Sequence, residues 1–241
     1  MACALCLKEL PLCASHIIPE FMYKSIYAPG NHRLSWIHSK DDLFDYRHKT
    51  LQKGLREALL CRGCEDQISQ YETYVVGVFG RQRVNRQVTF DQQAGGLVIQ
   101  NLNYQKFKLF ELSLLWRSSV SSLIDFEQIK LGKRHEDRLR QMVLTGQPGE
   151  PHEYGCGIFR LVYANQADAD GLICSPYRTR SEGIWQYLFV ITGLLWMFNV
   201  SSHSPPRDWV ASFVQRDGVQ VVWNMPLLDV VGPKLIGKKF T

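Results

Sequence analysis

Apolar residues recur at helical spacing through the middle of the chain and gather into short runs toward its end. After Cys61 there is no proline, and Ile68, Tyr71 and Val75 fall on one face, which predicts a helix starting near Cys64. Phe107, Phe110 and Leu114 share a face over about 104–122, and Leu139, Met142 and Val143 do so over about 133–144, predicting two more helices. The prolines and glycines of PGEPHEYG, Pro148 to Gly155, end the helical part. From Cys156 onward the runs GIFRLVYA, GLICSPY, WQYLFVI, LLWMFNV, WVASFVQ and VQVVW predict strands, several divided by turn residues such as Arg216-Asp217-Gly218.

The longest apolar stretch, Ile184 to Val200, contains Gln186, Thr192, Gly193 and Asn199. It falls short of the roughly 20 apolar residues that span a bilayer. Its aromatic and β-branched content predicts two buried strands, or one long kinked one, and no membrane segment. The chain therefore reads as α+β in three zones: residues 1–80, a basic and mainly helical region 81–155, and a β-rich region 156–241. The last two can form one domain.

Composition sharpens this picture only in part. Hydrophobic residues at 45% and charged residues at 21% support a packed core and exclude a disordered chain. Lys+Arg 28 against Asp+Glu 23 leaves a net charge of +5. The whole surplus lies in residues 81–140, and the remainder is balanced. Arg81, Arg83 and Arg86 can line one side of an extended segment as contacts to nucleic-acid phosphates. The alternative is a solvated basic face.

Four of the seven cysteines form two C-x-x-C pairs, Cys3/Cys6 and Cys61/Cys64. Thiolates at this spacing reach one tetrahedral ion, and four of them close a structural Zn²⁺ shell that leaves no position for water. The opening MACALCLKEL has neither a basic n-region nor an apolar h-region. The expectation is a cytoplasmic, reducing setting, in which paired cysteines favour metal over a disulfide scaffold. Cys13, Cys156 and Cys174 read as small core residues. No P-loop, dinucleotide-binding fingerprint or nucleophile elbow is present.

The order CALC (Cys3 to Cys6), SHIIP (Ser15 to Pro19) and LLCRGCE (Leu59 to Glu65) resembles the zinc-stapled HNH nucleases of the ββα-metal class. The resemblance covers about residues 1–75, and nothing extends it into residues 80–241. It implies an N-terminal ββα-metal module with a Cys₄ zinc site, acting as an endonuclease on DNA with a second divalent cation, Mg²⁺ or Mn²⁺. His16 matches the general base that deprotonates the attacking water, a task suited to an imidazole. The cation would act as a Lewis acid.

Two positions depart from the family pattern. Ser15 stands where a carboxylate ligand is common, and Glu65 stands where a His ligand is usual. Glu65 is a hard oxygen donor suited to either cation. The middle Asn of the family name maps either to Asn31 in the intervening loop or to the position of Arg56 or Glu57. Asp42, Asp45, His48 or Glu72 could complete the ligand set. The resemblance also places such a nuclease in microbial or anti-phage defence. The alternative is a catalytically inactive zinc module that binds nucleic acid or protein. In the nuclease reading the C-terminal zone would serve specificity, homo-oligomerisation or a protein partner. Trp116-Arg117 ends an amphipathic stretch and reads as a buried indole beside a snorkelling guanidinium.

Overall fold

The computed structural model describes residues 1–23, 33–39, 46–52, 54–79, 87–93, 95–165, 167–168, 173–201 and 205–230, and of 33–39 and 46–52 it describes the backbone alone. Asn31, Asp42, Asp45, Arg81, Arg83 and Arg86 lie outside the described residues, as does the side chain of His48.

The chain begins with a knuckle: Leu7 takes a left-handed φ of 62°, and its N–H donates to Cys3 O. Strand β1 (Leu12–His16) follows. It lies antiparallel to β4 (Arg56–Cys61), with Leu12 opposite Cys61, His16 opposite Arg56 and a bulge between Cys13 and Ala14. The intervening β2 (Arg33–Ser39) and β3 (Tyr46–Gln52) pair only with each other among the described residues. β4 runs without a break into helix α1 (Arg62–Phe79). The helix starts two residues before Cys64, and its buried residues, Cys64, Ile68, Tyr71, Val75 and Val78, repeat at three- and four-residue intervals.

Helix α2 (Tyr104–Val120) departs from the one-faced pattern its sequence implies. Asn103 caps it by accepting a bond from Lys106 N, and every residue from Phe107 to Ser119 is buried. The reason is its position. Helices α1 and α3 (Lys133–Thr145) pack on it from one side, and a sheet covers the other. Phe107 and Phe110 meet Trp196 of that sheet with ring centroids 6.5 and 5.9 Å apart. α3 ends at Gly146, whose φ of 70° lets its N–H return to the Met142 and Val143 carbonyls.

The sheet has seven strands in the order β5-β6-β11-β7-β10-β9-β8. These are β5 (Thr89–Gln93), β6 (Gly96–Gln100), β7 (Cys156–Val162), β8 (Tyr177–Ser181), β9 (Ile184–Ile191), β10 (Leu194–Val200) and β11 (Gln220–Pro226). All neighbours are antiparallel except β11 and β7. The 184–200 run is two strands, turning at Thr192-Gly193, both with positive φ. Among the described residues no helix is long and apolar enough to cross a membrane.

The structure adds two strands to the sequence reading and corrects one run. β5 and β6 lie in the mainly helical zone, before Tyr104, where the sequence reading assigned no element. β5 is a largely exposed edge strand, so it carries no apolar alternation to betray it. The run WVASFVQ is not a strand. After Pro205-Pro206 the chain makes a short helix α4 (Arg207–Val210) and tight turns that bury Phe213 and Val214, with Ser212 Oγ donating to Trp209 O. Of GLICSPY, Ile173 bridges to the sheet at Ile191 and Tyr177 opens β8 opposite Leu188.

Candidate metal centre and the His16 strand

The knuckle, the end of β4 and the first turn of α1 bring Cys3, Cys6, Cys61 and Cys64 together. Their sulfurs all lie within 4.8 Å of one another, and Cys6 and Cys61 are 3.8 Å apart. Four sulfurs placed tetrahedrally about 2.3 Å from one ion would be separated by about 3.8 Å. The cluster is therefore consistent with a structural zinc site. Backbone geometry supports the spacing: Ala4 N donates to Leu59 O, and Cys61 N donates to Cys3 Sγ at 3.3 Å.

The electrostatics point the same way. Burial opposes charge on Cys3, but the N–H groups of Cys6, Cys61 and Leu5 outweigh it and bring the thiol down to about 7. Burial, followed by the adjoining cysteines, pushes the Cys64 thiol up. One thiolate forms readily in this cluster. Four require a cation.

His16 closes β1 and is partly exposed. Its main-chain carbonyl accepts a 2.7 Å bond from Arg117 Nη1. Arg117 is only 1% exposed and does not snorkel. It reaches across from α2, pairs with Glu72 Oε1 of α1 at 2.8 Å, and donates through Nε to Ser113 O. One guanidinium thus ties β1, α1 and α2 together. The same contact engages Glu72, one of the residues expected to complete a ligand set, as an ion-pair partner.

Ser15 is fully buried. Its hydroxyl accepts from Leu60 N at 3.1 Å and donates to Cys13 O at 3.4 Å, bridging the bulged strand pair. A hydroxyl committed in this way offers no metal-ligand position. Glu57, opposite Ser15 in register, accepts from Ser121 Oγ at 2.7 Å and from Ser122 Oγ at 2.6 Å, fastening β4 to the end of α2. Glu65 follows Cys64 in α1, and its Oε1 is buried without a hydrogen-bond partner. Among the described residues, the four cysteines are the only group of three or more metal-binding side chains that converge. His16 and Glu65 do not join such a group. The sequence marked Arg117 only as an apolar-face cation, because its partners lie far away in the chain.

No family model, curated protein or solved structure matches this chain.

Proposed function

We propose that residues 1–79 are an HNH-like head that hydrolyses DNA phosphodiester bonds, with zinc as its structural staple and His16 as its general base. The observation that carries the reading is a connection. His16 ends β1, β1 lies antiparallel to β4, and β4 continues directly into α1. The four cysteines gather at the junction of these pieces. The strand that ends in Ser15 and His16 and the strand that ends in Leu59, Leu60 and Cys61 are thereby partners, with Ser15 and His16 opposite Glu57 and Arg56.

In this reading the partly exposed His16 imidazole takes a proton from a water as the water oxygen attacks phosphorus. The bond from phosphorus to the leaving sugar oxygen breaks, and that oxygen regains a proton from solvent. Arg117 is a positioning residue: it fixes the His16 carbonyl, and with it the end of the strand that presents the imidazole. The orphaned Glu65 oxygen is a fitting donor for Mg²⁺ or Mn²⁺, whereas Ser15 is not. Such a cation, when bound, would neutralise charge developing on the leaving oxygen.

A second reading keeps the zinc-stapled scaffold as a DNA-binding module without cleavage. The committed hydroxyl of Ser15 favours it, since one usual ligand is missing. Incubating the zinc-loaded protein with supercoiled plasmid and Mg²⁺ or Mn²⁺ separates the two. The nuclease reading expects nicked or linear DNA that appears only with the added cation. Intact plasmid retained by the protein in a gel-shift assay would establish the binding module instead.

A further inference from the structure

The seven-stranded sheet ends on β8, which has no outer neighbour among the described residues. Side chains alternate along a strand, so Arg178 and Arg180 share a face, and both are exposed. Register sets Arg178 opposite Tyr187 and Arg180 opposite Trp185 of β9. The two guanidinium carbons lie 4.8 and 5.5 Å from the centre of the Trp185 ring. Arg180 Nε also donates to Gly183 O in the turn. Trp185 is 38% exposed, although Gln186 and Tyr187 beside it are buried.

A comparison within the molecule shows why this arrangement differs from ordinary packing. Arg216 lies 5.4 Å from the Tyr104 ring, but there Glu150 neutralises the cation and Tyr104 is buried. Arg117, Arg138 and Arg160 likewise have carboxylate partners. Among the described residues, no carboxylate pairs with Arg178 or Arg180. Charge on an edge strand guards it against pairing with another sheet, and this accounts for the arginines. It does not account for an indole that stays partly exposed beneath them.

We propose that Arg178, Arg180 and Trp185 form a platform for single-stranded nucleic acid. The two arginines stand about 6.7 Å apart along the strand and can turn from the indole to meet successive phosphates of an extended strand. Once they turn away, the indole can stack a base, an interaction every base can make. An acidic peptide would satisfy the arginines and leave the ring unused. The platform lies on the helix-bearing face of the sheet. Contacts lead from it toward the His16 strand: Tyr187 Oη donates to Lys130 O, Lys130 Nζ to Ser121 O, and Ser121 Oγ to Glu57 of β4. The proposal goes beyond the cleavage reading and holds whether or not His16 is catalytic.

The test is fluorescence anisotropy of a labelled oligothymidine, with zinc-loaded full-length protein and no added Mg²⁺ or Mn²⁺, so that cleavage plays no part. Wild type binds and its tryptophan emission is quenched. Trp185→Ala weakens binding about ten-fold or more, and Trp185→Phe restores most of it. Replacing Arg178 and Arg180 with Gln lowers the slope of log affinity against log salt by about 0.7 for each lost phosphate contact. Thermal melting, read on every variant, stays at the wild-type temperature. Failure of wild type to bind, or wild-type affinity in Trp185→Ala together with a wild-type salt slope in the Arg178 and Arg180 to Gln variant, overturns the platform and leaves the arginines as edge protection. Displacement of the oligothymidine by polyglutamate, as readily as by unlabelled oligothymidine, also overturns it.

Discussion

Cys61→Ser is expected to leave the protein with less than one equivalent of zinc and with the knuckle, residues 1–9, no longer folded onto β4 and α1. Wild type should carry about one zinc per chain by elemental analysis. The reason lies in how little else holds the N-terminus. Cys3 and Leu5 are fully buried, but the backbone ties of the knuckle to the rest of the chain are sparse, among them Ala4 N to Leu59 O. Arg140 Nη1 adds one bond, to Leu5 O. Binding of zinc to four thiolates supplies about 10–16 kcal/mol in small zinc modules, comparable to the whole stability of a domain. Losing one thiolate leaves three sulfurs and an open position on the ion. Limited proteolysis should cut first between Met1 and Leu10 in the variant, while the seven-stranded sheet resists. A full zinc complement and wild-type protection in Cys61→Ser would show that the cysteines pack as thiols.

Removing either Lys108 or Glu111 alone should cost about 3–5 kcal/mol in denaturant unfolding, whereas replacing both with apolar residues of similar size should cost far less. Both side chains are completely buried in α2, with Nζ and Oε2 3.7 Å apart. Lys108 Nζ also donates to the carbonyls of Tyr154 at 3.0 Å and Pro151 at 3.4 Å. Neither Glu111 oxygen has a hydrogen-bond partner. Burial raises the Glu111 carboxyl to about 8 against the pull of Lys108, and burial lowers the Lys108 amine.

The sign of the pH effect follows in Lys108→Met, where the carboxyl loses its cation. The folded state then keeps a proton that the unfolded chain releases above the ordinary value of 4.5. Stability is fullest below that pH and falls as pH rises toward 8 and beyond, by up to about 1.4 kcal/mol per pH unit. A flat stability profile in Lys108→Met would contradict the assignment. So would single and double variants of equal stability.

The parts of the fold that were legible in the sequence are those whose burial has one side. Ile68, Tyr71 and Val75 mark α1 because one face of that helix meets the core, and Leu139, Met142 and Val143 mark α3 for the same reason. α2 was visible as a helix but not as a buried one. Its Lys108, Glu111 and Arg117 look like solvent-facing charges until their partners, all from other elements or one turn away, are known. β5 was hidden by exposure, and WVASFVQ misled because apolar residues in tight turns imitate a strand. The metal cluster was the most legible part of the site, since C-x-x-C spacing constrains sulfur positions locally and needs only β1 and β4 to bring the pairs together. Ser15 was opaque. Its role depends on a bulge that turns its hydroxyl to Leu60 N, and no residue near it in sequence announces that bulge. The Arg178, Arg180 and Trp185 group carried no signal either, because register across a hairpin, not spacing along the chain, brings the guanidiniums over the indole.

In the proposed nuclease His16 is the group that activates water. The most direct measurement is the single-turnover rate of plasmid cleavage by His16→Ala beside wild type, with zinc content and circular dichroism recorded on both. The main-chain carbonyl that Arg117 holds is unchanged by this substitution, so the strand end stays in place while the imidazole is lost. With equal zinc and equal spectra, the rate should fall about 10²-fold or more. Cleavage by His16→Ala at the wild-type rate would contradict the account.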